Sequence, residues 1–386
     1  MHTFDYSFLK DMMLSSSFAT RLARIEGFRS GVRRFSEDHP AMAGDMRELS
    51  KIMSTRESND IEGISTEDSR LLKLLTGNVK PIGHEEYELL GYRDALNRVH
   101  DGYGTMEIEE DTVLSLFSTL VSYTGAEPGY KTRNNEIVDR DGSGRIAKRY
   151  KTVPASQVKD SMFQLIGAFN EARNDMGVSG ILLIPCFIMD FLKIHPFMDG
   201  NGRMSRLLTV LLMYQEGLDV CSYVSIEAII NQSKADYYDA LARSGEGWFD
   251  DINDYLPFME YMIGVIFLAY KEFDRRLALC SPKDDKGSRV ETVLMNVTIP
   301  ISKSELCALM PDISEPYIEI ILSRMCEEGR IEKVGGGRSL RYRPVRPRGQ
   351  CFSHPPRMFT HEDPYRLRPV PDETHTLPVQ TVRGHG

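Results

Sequence analysis

Apolar residues recur at three- and four-residue steps along most of this chain. In "EEYELLGYRDALNRVHDGY" (85–103), Leu89, Tyr92, Leu96 and Val99 fall on one side of a helix. Helical patterns continue through "VKDSMFQLIGAFNEARN" (158–174), "ILLIPCFIMDFLKI" (181–194), "RMSRLLTVLLMYQEG" (203–217), "KADYYDALARS" (234–244) and "YLPFMEYMIGVIFLAYKEF" (255–273). One stretch breaks the rhythm. In 134–153, Gly142-Ser143-Gly144 separates runs holding Ile137 and Val138 from runs holding Ile146 and Tyr150, which predicts a β-hairpin inside a helical protein. After "SPKDDKGS" (281–288), charged and turn-rich as a linker would be, the order helix, turn, helix, strand, Gly-Gly-Gly, strand resembles a winged helix. From Arg346 the chain is rich in Pro, His and Arg with few apolar residues, so disorder is expected there. The expectation is a mainly α protein with an N-terminal helical region at 1–84, a core at 85–280, a small winged-helix domain at 284–345 and a tail at 346–386.

At 386 residues there is material for two or three domains. The formal net charge of −9 argues against a general nucleic-acid or anionic-membrane binder, though not against a local basic site. Six cysteines lie far apart with no CxxC pair, which disfavours a zinc site or disulfide framework and suits a reducing compartment. The N-terminus lacks the pattern of a signal peptide. The most apolar window, 181–194, is too short to span a bilayer and contains Pro185, Asp190 and Lys193. A cytoplasmic protein without membrane contact is expected.

The chemistry concentrates in "IHPFMDGNGRMSRLL" (194–208). Pro196 marks a helix break, because the residue before a proline disfavours helical geometry. Gly200-Asn201-Gly202 then reads as a short loop before a helix beginning near Arg203. Glycines admit an anion close to backbone N–H groups, and a helix N-terminus offers unpaired donors and a favourable dipole. Arg203 and Arg206 share a helix face and would suit a polyphosphate. Asp199 is a hard oxygen ligand suited to Mg²⁺ against phosphate oxygens. His195, the one histidine between residues 101 and 353, can accept a proton from an attacking hydroxyl. Triphosphate, metal and base together point to transfer of a phosphorus-containing group.

"HPFMDGNGRMSR" (195–206) resembles the Fic family signature, HPFx(D/E)GNGRxxR, at every specified position. The resemblance implies transfer of AMP from ATP to a hydroxyl side chain of a target protein. It makes His195 the base and Asp199 the Mg²⁺ ligand. Gly200, Asn201 and Gly202 become the anion hole, Arg203 and Arg206 hold the β- and γ-phosphates, and Phe197 anchors the loop in the core. Doc-type relatives carry a lysine at the place of Gly202 and transfer the terminal phosphate, so the intact Gly-Asn-Gly favours adenylylation. Beside this signature, Ser58-Asn59-Asp60-Ile61-Glu62-Gly63 matches the inhibitory (S/T)xxxE(G/N) pattern. That implies a helix at about 45–63 whose Glu62, with Ser58, pairs with Arg206 and obstructs ATP. The hairpin would be the family's flap, docking a target segment by main-chain pairing through Ile137 and Val138. "KADYYDAL" resembles the segment lining the adenine pocket, with Tyr237 and Tyr238 as the rings. A homodimer is possible in the family, and self-modification is a further possible outcome.

Charge restrains a DNA-binding reading of the C-terminal segment. Across 284–348 eleven Lys/Arg meet ten Asp/Glu, and the expected recognition helix at 314–328 carries Glu315, Glu319, Glu327 and Glu328 against Arg324 alone. Only the wing, with Arg338, Arg341 and Arg343, is basic. Protein docking or domain packing is favoured there. Rival readings are a nucleotide-sensing DNA-binding regulator, and a Fic enzyme that removes AMP or transfers another phosphoryl group.

Overall fold

The computed structural model describes residues 2–140, 146–278 and 283–345. The turn at Gly142-Ser143-Gly144 and the tail from Arg346, for which disorder was expected, lie outside them. The architecture is mainly helical with two small two-stranded sheets, the fold class expected.

The chain opens with α1 (Ser16–Asp38), α2 (Pro40–Ile61), α3 (Asp68–Leu75), α4 (Gly83–Gly102) and α5 (Glu110–Val121). Ser15 caps α1 by accepting from the Phe18 N–H. Pro40 starts α2 at the position where its missing N–H costs nothing. The helix carrying Glu62 therefore begins several residues before the expected 45, and Glu62 is its C-cap. Gly91 lets α4 and α5 touch, since a Cβ there would collide with the Leu120 carbonyl.

The strands β1 (Glu136–Arg140) and β2 (Ile146–Lys151) pair antiparallel, with Ile137 opposite Tyr150 and an irregularity at Asp139/Arg140. Then come α6 (Val158–Asn170), α7 (Gly180–Ile194), α8 (Asn201–Gln215), α9 (Ile226–Gln232), α10 (Lys234–Ser244) and α11 (Leu256–Ala278). α7 is apolar on nearly every side and accordingly lies at the centre of the molecule, packed by α6, α8 and α11. Its one buried acid, Asp190, accepts from the Tyr6 hydroxyl (2.7 Å), the Trp248 indole (2.7 Å) and Tyr255. That carboxyl ties the extreme N-terminus to the core.

The last elements are α12 (Lys286–Asn296), α13 (Lys303–Leu309), α14 (Glu315–Glu327) and the antiparallel pair β3 (Ile331–Val334) and β4 (Arg341–Pro344). α13 has a full capping box between Ser302 and Glu305. This C-terminal unit does not close its core alone. Val290, Val293, Leu294, Leu306, Ile318 and Ile321 share one apolar cluster with Leu49 and Ile52 of α2, Leu71 and Leu72 of α3, and Leu89 and Leu90 of α4. Arg289 bridges Asp45 of α2 (2.6 and 2.9 Å) and Asp312 (2.6 and 3.0 Å). Asp284 accepts from the Met42 N–H at the start of α2 (2.9 Å). The other face of α2 (Met42, Ala43, Met46, Ile61) lies in the main core with α7 and α8. Residues 1–84 thus form no separate layer, because α1 and α2 need the central helices, and α2 also needs the C-terminal unit, to cover their apolar sides. The four cysteines among the described residues, Cys186, Cys221, Cys307 and Cys326, are free. No helix among the described residues is long and apolar enough to cross a membrane.

Candidate active site

α7 ends at Ile194, and His195 follows as its C-cap in a left-handed conformation (φ 54°, ψ 61°). A residue with a Cβ is rarely held there, and the strain marks a place where the surroundings dictate the backbone. The surroundings are clear. Phe197 is fully buried with its ring stacked on Phe117 at 3.6 Å. Asn201 grips the Phe197 backbone from both sides, accepting from its N–H and donating to its carbonyl, each at 2.9 Å. Gly200, at φ 81°, turns the chain into α8. The helix therefore starts at Asn201, two residues earlier than the sequence suggested. Gly200 alone of the glycine pair is loop, while Gly202 sits in the first turn, where N–H groups have no intrahelical acceptor. The Asn201 side chain is engaged in shaping the loop.

A carboxylate already lies over that first turn. A Cβ at Gly202 would collide with Glu62 Oε1, so only glycine admits the acid so close to the helix start. The Glu62 carboxylate accepts from Arg206 Nη2 at 2.7 Å. Arg206 also donates through Nε to Ser58 Oγ (2.8 Å) and through Nη2 to the Ser58 carbonyl (2.9 Å). Burial pushes the Glu62 carboxyl up, but the Arg206 charge and hydrogen bond, helped by Arg203 and Lys234, bring it below the ordinary value. The structure thus brings Ser58, Glu62 and Arg206 together as expected from the sequence.

Arg203 points the other way, to Glu88 of α4 at 2.9 Å, with Asp199 at 3.5 Å. Its Nε is buried and has no partner among the described residues. Asp199 is almost wholly exposed, free of the core and open to a solvent-borne ligand. No group of three His, Cys, Asp or Glu among the described residues could alone hold a metal. A cation here would rest on Asp199 and on oxygens of its ligand, which is the usual habit of Mg²⁺.

His195 is half-buried, and its pKa is pushed down to about 4, first by burial and then by the charge of Lys131, against the pull of Asp199 and Glu62. The ring is neutral at pH 7 and able to accept a proton. The Leu192 backbone draws its pKa back up, and its buried Nδ1 has no hydrogen-bond partner among the described residues.

The remaining candidates divide. Ile137 lies partly exposed on β1, while the side chain of Val138 falls outside the described residues. Tyr237 is buried, packed edge-on against Phe258 and Tyr261. Its neighbour Tyr238 is 45% exposed and is the ring of the two that a ligand could reach.

Several residues that shape the site escape the sequence reading. Glu88 holds Arg203. Glu227, fully buried, accepts from Ser54 (2.7 Å) and Tyr92 (3.0 Å), and Lys234 caps the Ile61 carbonyl at 2.5 Å, so α9 and α10 clasp the end of α2. Lys131 and Asn135 reach the loop from the base of the hairpin.

The fold is mainly helical, with Gly-Asn-Gly at the start of α8, a neutral histidine just before it and a short β-hairpin beside it. Residues 107–213, from before α5 to the last turn of α8, match the Fic/DOC family model, so a Fic/DOC family domain lies within the chain. A Fido domain-containing protein from Dictyostelium discoideum is 33% identical over 60 residues, 16% of this chain and 42% of that protein. The chain thus covers less than half the length of this relative. A Fic family protein from Desulfovibrio desulfuricans superposes with a TM-score of 0.58 at 20% identity, over 86% of this chain and 97% of the other. A Fic domain-containing signaling protein from Bacteroides thetaiotaomicron gives 0.54 at 19%, over 68% and 99%. Fic-1 from C. elegans gives 0.51 at 19%, over 67% and 71%. At these identities the structural likeness speaks for the fold alone.

Proposed function

We propose that this chain transfers AMP from ATP to a hydroxyl side chain of a target protein, with itself among the acceptors, and that Glu62 restrains the reaction. The observation that carries this reading is the pairing of Arg206 with Glu62 directly over the start of α8, beside a neutral His195. The Glu62 carboxylate stands where a phosphate oxygen would be welcome. Removing it leaves a helix N-terminus and a freed guanidinium facing the triphosphate.

In this reading the target hydroxyl attacks the α-phosphorus and its proton passes to the neutral His195 imidazole. The bond from the α-phosphorus to the bridging oxygen breaks, and pyrophosphate leaves. The donors of α8, Arg203 and a released Arg206 hold the leaving phosphates, and Tyr238, the exposed ring of the pair, would meet the base. Asp199 would hold Mg²⁺, which when bound neutralises phosphate charge. The hairpin strands would align the target segment. Cytoplasmic residence fits the free cysteines.

The rival DNA-binding reading finds little support in the C-terminal unit. Arg324 and Arg330 are paired with Glu291, Arg341 with Glu305 and Arg343 with Glu332. Cations balanced by neighbouring carboxylates leave little net positive charge for phosphates, and α14 presents Glu315 and Glu319. The side chain of Arg338 lies outside the described residues. The test is label incorporation from α-³²P-ATP with Mg²⁺. Transfer that rises in Glu62→Gly and vanishes in His195→Ala sustains the reading. Nucleotide binding with no transfer in any variant ends it.

A further inference from the structure

Lys131 lies between α5 and β1, almost wholly buried, and among the described residues none of its hydrogen-bond acceptors is a carboxylate. Nζ donates to Asn135 Oδ1 (2.8 Å), Thr152 Oγ1 (3.0 Å) and the Ile194 carbonyl (3.4 Å). A buried ammonium facing only neutral acceptors is costly, and burial brings its pKa down to about 8. A methionine or glutamine would fill the space more cheaply.

The backbone supplies the second half of the pattern. The Lys131 N–H donates to the Pro196 carbonyl at 2.8 Å. One residue thus holds the carbonyl just before His195 with its ammonium and the carbonyl just after it with its amide. His195 between them is the strained left-handed residue. Asn135 and Thr152 tie the same ammonium to the bases of β1 and β2, and Asn135 Nδ2 also donates to the Phe197 carbonyl at 3.1 Å. The hairpin and the histidine loop are therefore one polar knot with Lys131 at its centre.

We propose that Lys131 is a positioning residue, bracketing His195 so that its imidazole stays at the correct angle, and linking that angle to the hairpin on which a target would lie. This rests on the AMP-transfer reading for its kinetic consequence, though not for its structural one. The charged groups facing the imidazole are Lys131 from the hairpin base, Asp199 from the loop and Glu62 from the end of α2. Among these described residues Lys131 is the positive one. Its loss should let His195 take up a proton more readily.

The experiment uses the full chain carrying Glu62→Gly, with Lys131 intact, Lys131→Met and Lys131→Arg, and with Lys131→Gln if the methionine variant does not fold. His195 ring signals are titrated by NMR without divalent cation, and AMP transfer is followed in parallel with Mg²⁺. Removing the lysine should raise the His195 midpoint by about one unit or more. It should lower kcat at least ~10-fold while the KM for ATP stays within about twofold, and arginine should restore most of the rate. An unmoved midpoint together with unchanged kcat overturns the proposal. So does a loss that falls wholly on KM. If no variant transfers AMP, the function reading falls, while the titration still decides whether Lys131 controls His195.

Discussion

Arg203 and Arg206 stand one turn apart on α8, and both are buried against a carboxylate. Their partners could hardly differ more. Glu88, which holds Arg203, is a residue from the middle of α4 with a side chain 8% exposed. Glu62, which holds Arg206, is the C-cap of α2, 32% exposed, and sits beside the glycine of the next position. A mid-helix acid in the core cannot leave without taking its helix along. A helix-end acid at the surface can swing out by changing a few torsions. The same ion-pair chemistry therefore yields a fixed support at Arg203 and a releasable stop at Arg206.

That contrast can be broken by measurement. Glu88→Ala should strand a buried guanidinium and lower the unfolding free energy by about 3–5 kcal/mol in urea titrations. Glu62→Gly leaves Arg206 two contacts to Ser58 and an opening to solvent, so a loss of about 1–2 kcal/mol is expected. Equal losses would erase the distinction. In the transfer assay Glu62→Gly should raise AMP incorporation by about 10–100-fold, the range set by a charge-assisted hydrogen bond. No rise in a folded variant would make Glu62 a structural acid like Glu88. Ser58→Ala removes only one of the three bonds on Arg206 and should raise transfer a few-fold, for about 1 kcal/mol lost.

The smallest expected effect is a flat line. The folded-state pKa of Glu62 is depressed, so its pairing contributes fully above the ordinary 4.5 and fades only as pH falls through the lower folded value. The ratio of Glu62→Gly to parent activity should hold steady from pH 6 to pH 8. His195, brought down to about 4, is likewise neutral throughout that window and should give no acid limb near 6.5. The same depression makes it a stability cost in acid, because below about 6.5 the unfolded chain takes up the proton first. A slope in the ratio between pH 6 and 8 would mean that another group controls Glu62.

The two arginines also show what a sequence can and cannot reveal. His195 to Arg206 lie within one loop and helix turn, so local spacing carried the geometry, and the helical periodicities carried most elements. Glu62 was legible through a second short pattern. Glu88 was not, because an acid flanked by Tyr87 and Leu89 reads as an ordinary polar face until Arg203 arrives opposite, 115 residues later. Lys131 hid for the same reason, as one cation in a polar turn. Tyr237 and Tyr238 looked equivalent, and only packing by Phe258 and Tyr261 separates the core ring from the exposed one. That α2 serves both apolar clusters was not legible, because apolar periodicity tells how many sides a helix buries without telling against which element.

α2 is a wall common to two rooms. One side lies against α8 and its arginines, and the other closes the apolar cluster of the C-terminal unit, with Asp45 locked to Arg289. A chain cut short before Lys286 would uncover Leu49, Ile52 and Leu72 and leave Asp45 without its arginine. The consequence is one of experimental design. Any activity gained on trimming the C-terminus reports a loosened Glu62 as much as a missing domain, and the two are separated only by trimming a chain that already carries Glu62→Gly.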